Sequence, residues 1–263
     1  MTFELLVSCV RKDAHELAEK MNIASDAVIV SQLEETESDE FFDLGKNRVL
    51  SIKSQTRGVG LNRNICIDHS NADIILFADE DIVYDEGYEA KVLKEFEDHP
   101  NADAIFFNVR VCETRRTYWN EDYKWVKWYN SGRYPAYSIA VKASKLKAAG
   151  VKYSLLFGGG AKYSNGEDSL FINDMRKAGF KMLASPVVLG EEVPRPSTWF
   201  NGYNDKLFYD RGVLYHFLYG KWAKLWGFRW VYKMRPEYEK DYPYKKAKKV
   251  LFRGIKDAAS GKL

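Results

Sequence analysis

The run Ile74-Ile75-Leu76-Phe77-Ala78 carries no polar side chain and breaks off into Asp79-Glu80-Asp81. A short, unbroken apolar run of this kind reads as a buried strand. A strand has no use for three acids, so the carboxylates stand where the chain leaves the sheet. In open α/β sheets, ligands bind just outside the carboxyl ends of the strands. Asp79 and Asp81 form an Asp-x-Asp pair, and oxygen ligands of that type suit a hard divalent cation, which in turn suits a diphosphate. The plainer alternative is a turn rich in acids. A calcium loop beginning at Asp79 requires Gly at its sixth place and Glu at its twelfth. Tyr84 and Ala90 occupy those places, which excludes it.

Strand-like runs recur at Leu5–Val10, Ala27–Val30, Arg48–Ile52, Ala104–Val109 and Ser138–Val141. Helical stretches intervene at Ala14–Met21, Gly87–His99 and Ala143–Ala149. Strands alternating with helices specify a mostly parallel sheet with helices on both faces. The acidic run Glu34–Glu40 reads as a solvated loop. Phe180–Leu183 and Val187–Leu189 read as two closing strands. The 263 residues suffice for one large domain or one domain with an appendage. Three scattered cysteines, Cys9, Cys66 and Cys112, lack metal-ligand spacing and suggest a reducing compartment. The chain opens on a strand-like run rather than a signal pattern, and no stretch approaches the ~20 apolar residues of a spanning helix. These features point to a cytoplasmic protein.

Two glycine-rich stretches adjoin polar helix starts. Arg57-Gly58-Val59-Gly60-Leu61-Asn62-Arg63-Asn64 leads into a helix with Leu61 and Ile65 on one face. Glycines there permit close backbone approach, a helix N-terminus attracts anions, and Arg63 is placed to reach a phosphate or to stay exposed. Gly158-Gly159-Gly160 precedes Glu167-Asp168, which open a helix burying Leu170, Phe171 and Met175. Acids are favoured in a first helical turn by the dipole alone. They also stand where a general base belongs. Between these stretches, Trp119, Tyr123, Trp125, Trp128, Tyr129 and Tyr134 crowd the segment Thr117–Tyr137. Aromatic faces suit sugar rings, and packing against a sheet explains them equally.

Taken in order, these features resemble an inverting family 2 glycosyltransferase of the GT-A fold, a Rossmann-like α/β architecture, over Phe3–Leu189. Ser197-Thr198-Trp199-Phe200-Asn201-Gly202-Tyr203-Asn204 further resembles bacterial members acting in cell-surface polysaccharide synthesis. The resemblance implies a nucleotide-sugar half over 1–110 and an acceptor half over 111–190. It places Ser8, Cys9 and Val10 at the start of the nucleotide pocket, Arg63 and Glu80 near the nucleotide, and Asp79 on the ribose. It makes Asp81 the ligand of Mn²⁺ or Mg²⁺ on the donor diphosphate, and Asp168 the general base. The implied donor is a UDP-sugar, and the implied acceptor a glycan or polyprenyl-linked saccharide. Where relatives carry Pro after the first strand, this chain has Arg11 nearby. Where they carry Asp after the second, it has Ser31, Gln32 and Glu34. Where many carry a late metal-binding His, it has Gly190, Glu191 and Glu192. A nucleotide-sugar synthesis enzyme needs a Gly-rich loop after the first strand, and Val7–Ala14 has no glycine. Two other readings stay open: a haloacid-dehalogenase-like phosphatase with Asp79 as nucleophile, and a non-catalytic sugar- or lipid-binding relative.

Residues 191–263 form a basic, aromatic-rich C-terminal extension. From Lys221 onward basic residues outnumber acidic ones by about three to one, with Trp222, Trp226, Phe228 and Trp230 among them. This composition suits a helix on an anionic membrane surface, peripheral at the inner face of the cell membrane; a solvated subdomain is the alternative. The net charge of +3 makes no case for nucleic acid.

Overall fold

The computed structural model describes residues 1–194 and 202–263. Most of the stretch that resembles polysaccharide enzymes, from Ser197 to Asn201, lies outside the described residues. The chain runs β1 (Phe3–Val10), α1 (Ala14–Lys20), β2 (Ala27–Gln32), β3 (Ser38–Leu44), β4 (Asn47–Ser54), α2 (Val59–His69) and β5 (Ile74–Asp79). Then follow β6 (Ile82–Tyr84), α3 (Tyr88–Asp98), β7 (Ala104–Arg110), β8 (Lys124–Trp125), β9 (Ile139–Lys142), α4 (Ala143–Ala148), α5 (Glu167–Lys177) and β10 (Met182–Glu192). Four helices close the chain: α6 (Asp205–Tyr219), α7 (Ala223–Lys233), α8 (Arg235–Tyr238) and α9 (Tyr244–Ala259).

The strands form one sheet in the order β3-β4-β2-β1-β5-β9-β7-β10-β6, with β8 on β10. β4, β2, β1 and β5 are parallel neighbours, as are β7 and β10. β9 runs antiparallel between β5 and β7. Strand alternation divides the apolar residues between the two faces. Leu5, Val7 and Leu76 pack with Leu17 of α1 and Val92 and Phe96 of α3. Leu6, Ile75 and Phe77 pack with Ile67 of α2 and Phe171 and Met175 of α5. The expected sheet with helices on both faces is what the molecule has.

Three local expectations change. The end of the acidic run expected to be loop, residues 38–40, opens Ser38–Leu44, an edge strand paired antiparallel with β4 and mostly exposed. Charged side chains on such an edge discourage pairing with another chain. The two closing strands are one, β10, whose register shifts between Ala184 and Val188. That irregularity falls at Pro186, which cannot donate to the ladder. The buried face of α2 carries Asn62, Arg63, Asn64, Cys66 and Ile67, while Leu61 and Ile65 are only partly covered.

α6, α7 and α9 have their own core, in which Phe208, Val213, Leu214, Val231, Leu251 and Ile255 are buried. Phe157, Tyr163 and Leu170 belong to the same cluster, so these helices pack directly onto the loop and helix that carry Asp168.

Candidate active site

α2 explains how the site is held. Each polar residue on its buried face fastens a different segment. Asn62 Nδ2 donates to Ser8 Oγ at 3.0 Å and to the Val30 carbonyl at 2.8 Å, tying the ends of β1 and β2 together. Asn64 exchanges two hydrogen bonds with the Tyr153 backbone, at 3.0 and 2.8 Å. The helix start is closed by the glycine-rich loop: Val59 N–H donates to the Gly159 carbonyl at 2.9 Å. Gly58 N–H donates to Gln32 Oε1 at 2.6 Å. A Cβ on Gly60 would lie 2.5 Å from the Ser154 carbonyl oxygen. Gly60 thus serves close packing of chain on chain, Gly58 supplies a φ of +127°, and the Gly58 and Val59 amides are engaged within the protein rather than by an anion.

Arg63 is 4% exposed and lies over the Tyr153 ring at 5.1 Å. Its Nη2 donates to Asp79 Oδ1 at 2.7 Å and its Nη1 to Asp168 Oδ1 at 2.9 Å, with Glu167 at 3.8 Å. Arg63 therefore joins the strand-end acid to the helix-start acid, instead of projecting freely toward a phosphate. The second Asp168 oxygen accepts the Ala136 N–H at 3.1 Å. Burial pushes the Asp168 carboxyl up to about 7; Arg63 opposes that shift, and Glu167 and Asp79 reinforce it. The Arg63 guanidinium is held well above its ordinary value by Asp79 and Asp168, although burial alone works the other way.

Asp79, Glu80, Arg63, Ser8, Val10 and Asp168 all line one cavity of about 740 Å³. Glu80 accepts the Val10 N–H at 2.9 Å, which joins the ends of β1 and β5. Asp81 lines a neighbouring cleft of about 260 Å³ with Glu80, Asp13 and Glu16. Among the described residues no three acids, histidines or cysteines assemble into a metal cage. Glu191 and Glu192, at the positions where relatives carry a histidine, meet Arg110 at 3.6 Å and Arg115 at 2.7 Å. What the residues do fit is a cation held by one carboxylate and completed by substrate phosphates and water, the usual manner of Mg²⁺.

Gln32, which stands where relatives carry Asp, lines the main cavity, and sequence reasoning missed Arg133 and Arg211, which line it too. It also missed the part α6 plays. Asp210, 3% exposed, accepts Ser164 N–H and Oγ–H, each at 2.9 Å. Gly166, at φ +115°, sits so close to Leu214 that a Cβ would meet Leu214 Cδ2 at 2.5 Å. The aromatic segment divides in two. Tyr118 and Tyr134 are buried against the sheet, while Trp128 and Tyr129 are 59% and 70% exposed. Cys9 and Cys66 are buried free thiols and Cys112 is exposed.

The fold is that of a GT-A-like α/β protein, and part of the chain is similar to a known family. Residues 31–149 match the family model described as glycosyl transferase family 2. Among solved structures, S. aureus TarS 1–349 in complex with UDP-GlcNAc aligns with TM-score 0.61 and 12% identity, over 92% of this chain and 74% of that one. The same TarS fragment in complex with UDP aligns with TM-score 0.58 and 12% identity, over 99% and 72%. At that identity the likeness speaks for the fold. No curated protein sequence matches the chain.

Proposed function

We propose that this chain transfers a hexose from a UDP-sugar to a hydroxyl of a glycan or polyprenyl-linked saccharide, with inversion, in cell-surface polysaccharide synthesis. Asp168 carries the reading. It is a partly buried carboxyl, 24% exposed, with its value raised to about 7, in the same cavity as the ends of β1 and β5. A general base works best when its pKa lies near the operating pH. The UDP and UDP-GlcNAc complexes of the TarS fold support the choice of donor.

In this reading Ser8, Val10, Asp79 and Glu80 form the nucleotide wall. The acceptor oxygen forms its bond to the anomeric carbon while its proton passes to Asp168. The bond to the diphosphate breaks on the opposite face, and its electron pair leaves with the diphosphate. Arg63 positions Asp168 and, by opposing the effect of burial, keeps it titrating near neutrality. Asp81, with the donor's own oxygens, would hold Mn²⁺ or Mg²⁺, which when bound neutralises charge growing on the leaving group.

A cytoplasmic enzyme attached peripherally to an anionic membrane is part of the proposal. Its support is the exposure of Trp222, Leu225, Phe228 and Tyr232 on and beside α7, with Lys248 5.0 Å from the Phe228 ring. Among the described residues no helix is long and apolar enough to cross a membrane. Thermal shift with UDP, with and without Mn²⁺, tests the donor reading, since a ligand of the native state must raise its stability. UDP with Mn²⁺ should raise the midpoint, and Asp81→Asn should remove the metal-dependent part. No shift under either condition would overturn the donor assignment.

A further inference from the structure

A second cavity, of about 670 Å³, opens beside the catalytic one and shares Gly132, Arg133 and Ser169 with it. Its chemistry is different. Four carboxylates line the catalytic cavity, Asp79, Glu80, Glu167 and Asp168, whereas none lines the second. Arg133 and Arg176 both face it. Arg133 donates to the Tyr134 hydroxyl at 3.3 Å and Arg176 to Asn173 Oδ1 at 3.0 Å, and among the described residues neither meets a carboxylate. Asn173, only 8% exposed, also lines the cavity and leaves its Nδ2 without a hydrogen-bond partner. The opposite wall is aromatic. Trp128 and Trp222 are 59% and 57% exposed, and Trp128 meets Trp226 edge-on at 6.2 Å.

Indole faces cover the apolar face of a sugar ring, and guanidinium groups match phosphate oxygens in pairs. We propose that this cavity holds the acceptor beyond its reacting hydroxyl, with a sugar ring against Trp128 and Trp222 and an adjoining phosphate on Arg133 and Arg176. The inference rests on the glycosyltransferase reading, because Ser169 follows Asp168 and an acceptor seated here reaches the base. The helices α6 and α7 contribute Tyr219, Leu225 and Trp226 to the cavity, which gives the C-terminal extension a part in choosing the acceptor. A lipid-linked sugar phosphate and a polyol-phosphate polymer both present this chemistry.

The test uses the full chain saturated with UDP, so that the donor cavity is filled, and follows tryptophan fluorescence. Titrants are a hexose, its 1-phosphate, and the octyl and glyceryl phosphodiesters of that phosphate. A hydrogen-bonded charge is worth enough to make the 1-phosphate at least ~10-fold tighter than the free hexose. Arg176→Ala with Arg133→Ala should erase that preference, and Trp222→Ala should weaken both ligands; the arginines and the tryptophan are exposed, so folding should be kept. Tighter binding of the octyl ester indicates the lipid source, and tighter binding of the glyceryl ester the polymer. Equal affinity for hexose and hexose 1-phosphate, or a preference that survives both arginine changes, overturns the proposal. UDP binding is scored separately by thermal shift. A chain that ignores UDP but prefers the sugar phosphate would strike the donor reading and leave this cavity's chemistry standing.

Discussion

The two cavities on either side of Ser169 are built on opposite plans. In the catalytic one, charges are already paired: Arg63, 4% exposed, sits between Asp79 and Asp168 with both contacts under 3 Å. In the second, Arg133, Arg176, Trp128 and Trp222 are exposed, and among the described residues neither arginine meets a carboxylate. A buried charge needs a partner in the protein because water is not there to solvate it, whereas an exposed one can wait for a ligand. The first plan suits chemistry, which gains from groups fixed before the substrate arrives. The second suits recognition. The difference can be broken at either side, and the paired side should suffer far more.

Arg63→Met should have the largest effect. It leaves Asp79, Glu167 and Asp168 without their common cation, and removing one partner of a buried ion pair typically costs ~3–5 kcal/mol. For a chain of this size that lowers the thermal midpoint by on the order of 10 °C. The loss should shrink at acid pH, where the carboxyls protonate, and calorimetry across pH decides it. A midpoint unchanged at neutral pH would mean the cluster is not the clamp described above.

Asp168→Asn comes next. Transfer should fall by at least ~10²-fold with UDP affinity retained, the scale of losing a general base. An equal loss of binding would make Asp168 a structural residue. Its pH signature has a definite sign. A carboxyl whose folded value, about 7, lies above its unfolded one favours folding when protonated. That contribution is fully present below the unfolded value near 4 and is lost as pH rises through about 7. Asp168→Asn should therefore flatten the fall in thermal midpoint between pH 4 and 7, and the ascending limb of the parent's rate profile should lie near 7.

Gly166→Ala probes how α6 supports Asp168. The left-handed backbone and the 2.5 Å approach to Leu214 Cδ2 both oppose a side chain. Strain of this kind costs ~1–3 kcal/mol. Because Gly166 immediately precedes α5, transfer should fall while UDP affinity holds. Gly166→Ala with Leu214→Ala should recover part of the activity, the overlapping atoms having been removed. No recovery would place the defect in the backbone conformation alone.

The catalytic cavity was largely legible in the sequence, and the second was not. Strand ends of a parallel sheet emerge along one edge, so Ser8, Val10, Asp79 and Glu80 could be grouped from their strands alone. Glu80, one residue past β5, lines both this cavity and the neighbouring cleft, whereas Asp81, a residue further on, lines only the cleft of the two. Asn62 and Asn64 went unread because periodicity reports apolar burial, and these two are buried through hydrogen bonds to distant segments. Arg133, Arg176 and Trp222 lie on a loop, on α5 and beside α7, and only tertiary packing brings them to one cavity. The edge strand β3 defeated pattern reading for a related reason: it is paired on one side and mostly exposed, and Asp39, Glu40 and Asp43 mask the apolar Phe41, Phe42 and Leu44.

The smallest effect is expected at the outermost surface, where the comparison of paired and waiting groups extends to the C-terminal helices. Trp222, Leu225, Phe228 and Tyr232 are 57%, 57%, 42% and 60% exposed and recur at helical spacing, while Lys221, Lys224, Arg229 and Lys233 lie among them. Apolar side chains beside lysines are the make-up of a helix lying in a membrane interface. Each Lys or Arg near an anionic surface contributes ~1 kcal/mol, so several together suffice for reversible attachment. The full chain should sediment with anionic vesicles and not with neutral ones, and high salt should release it because the attraction is screened within about a Debye length. Ending the chain after Gly220 would be a poor control, since Val231, Leu251 and Ile255 belong to the core that also holds Leu214. Phe228→Ser with Tyr232→Ser removes exposed apolar area outside both cavities without opening that core, and should weaken sedimentation while leaving the thermal midpoint in place. Vesicle binding equal to the parent's, or none by either chain, would make this stripe an ordinary solvated face.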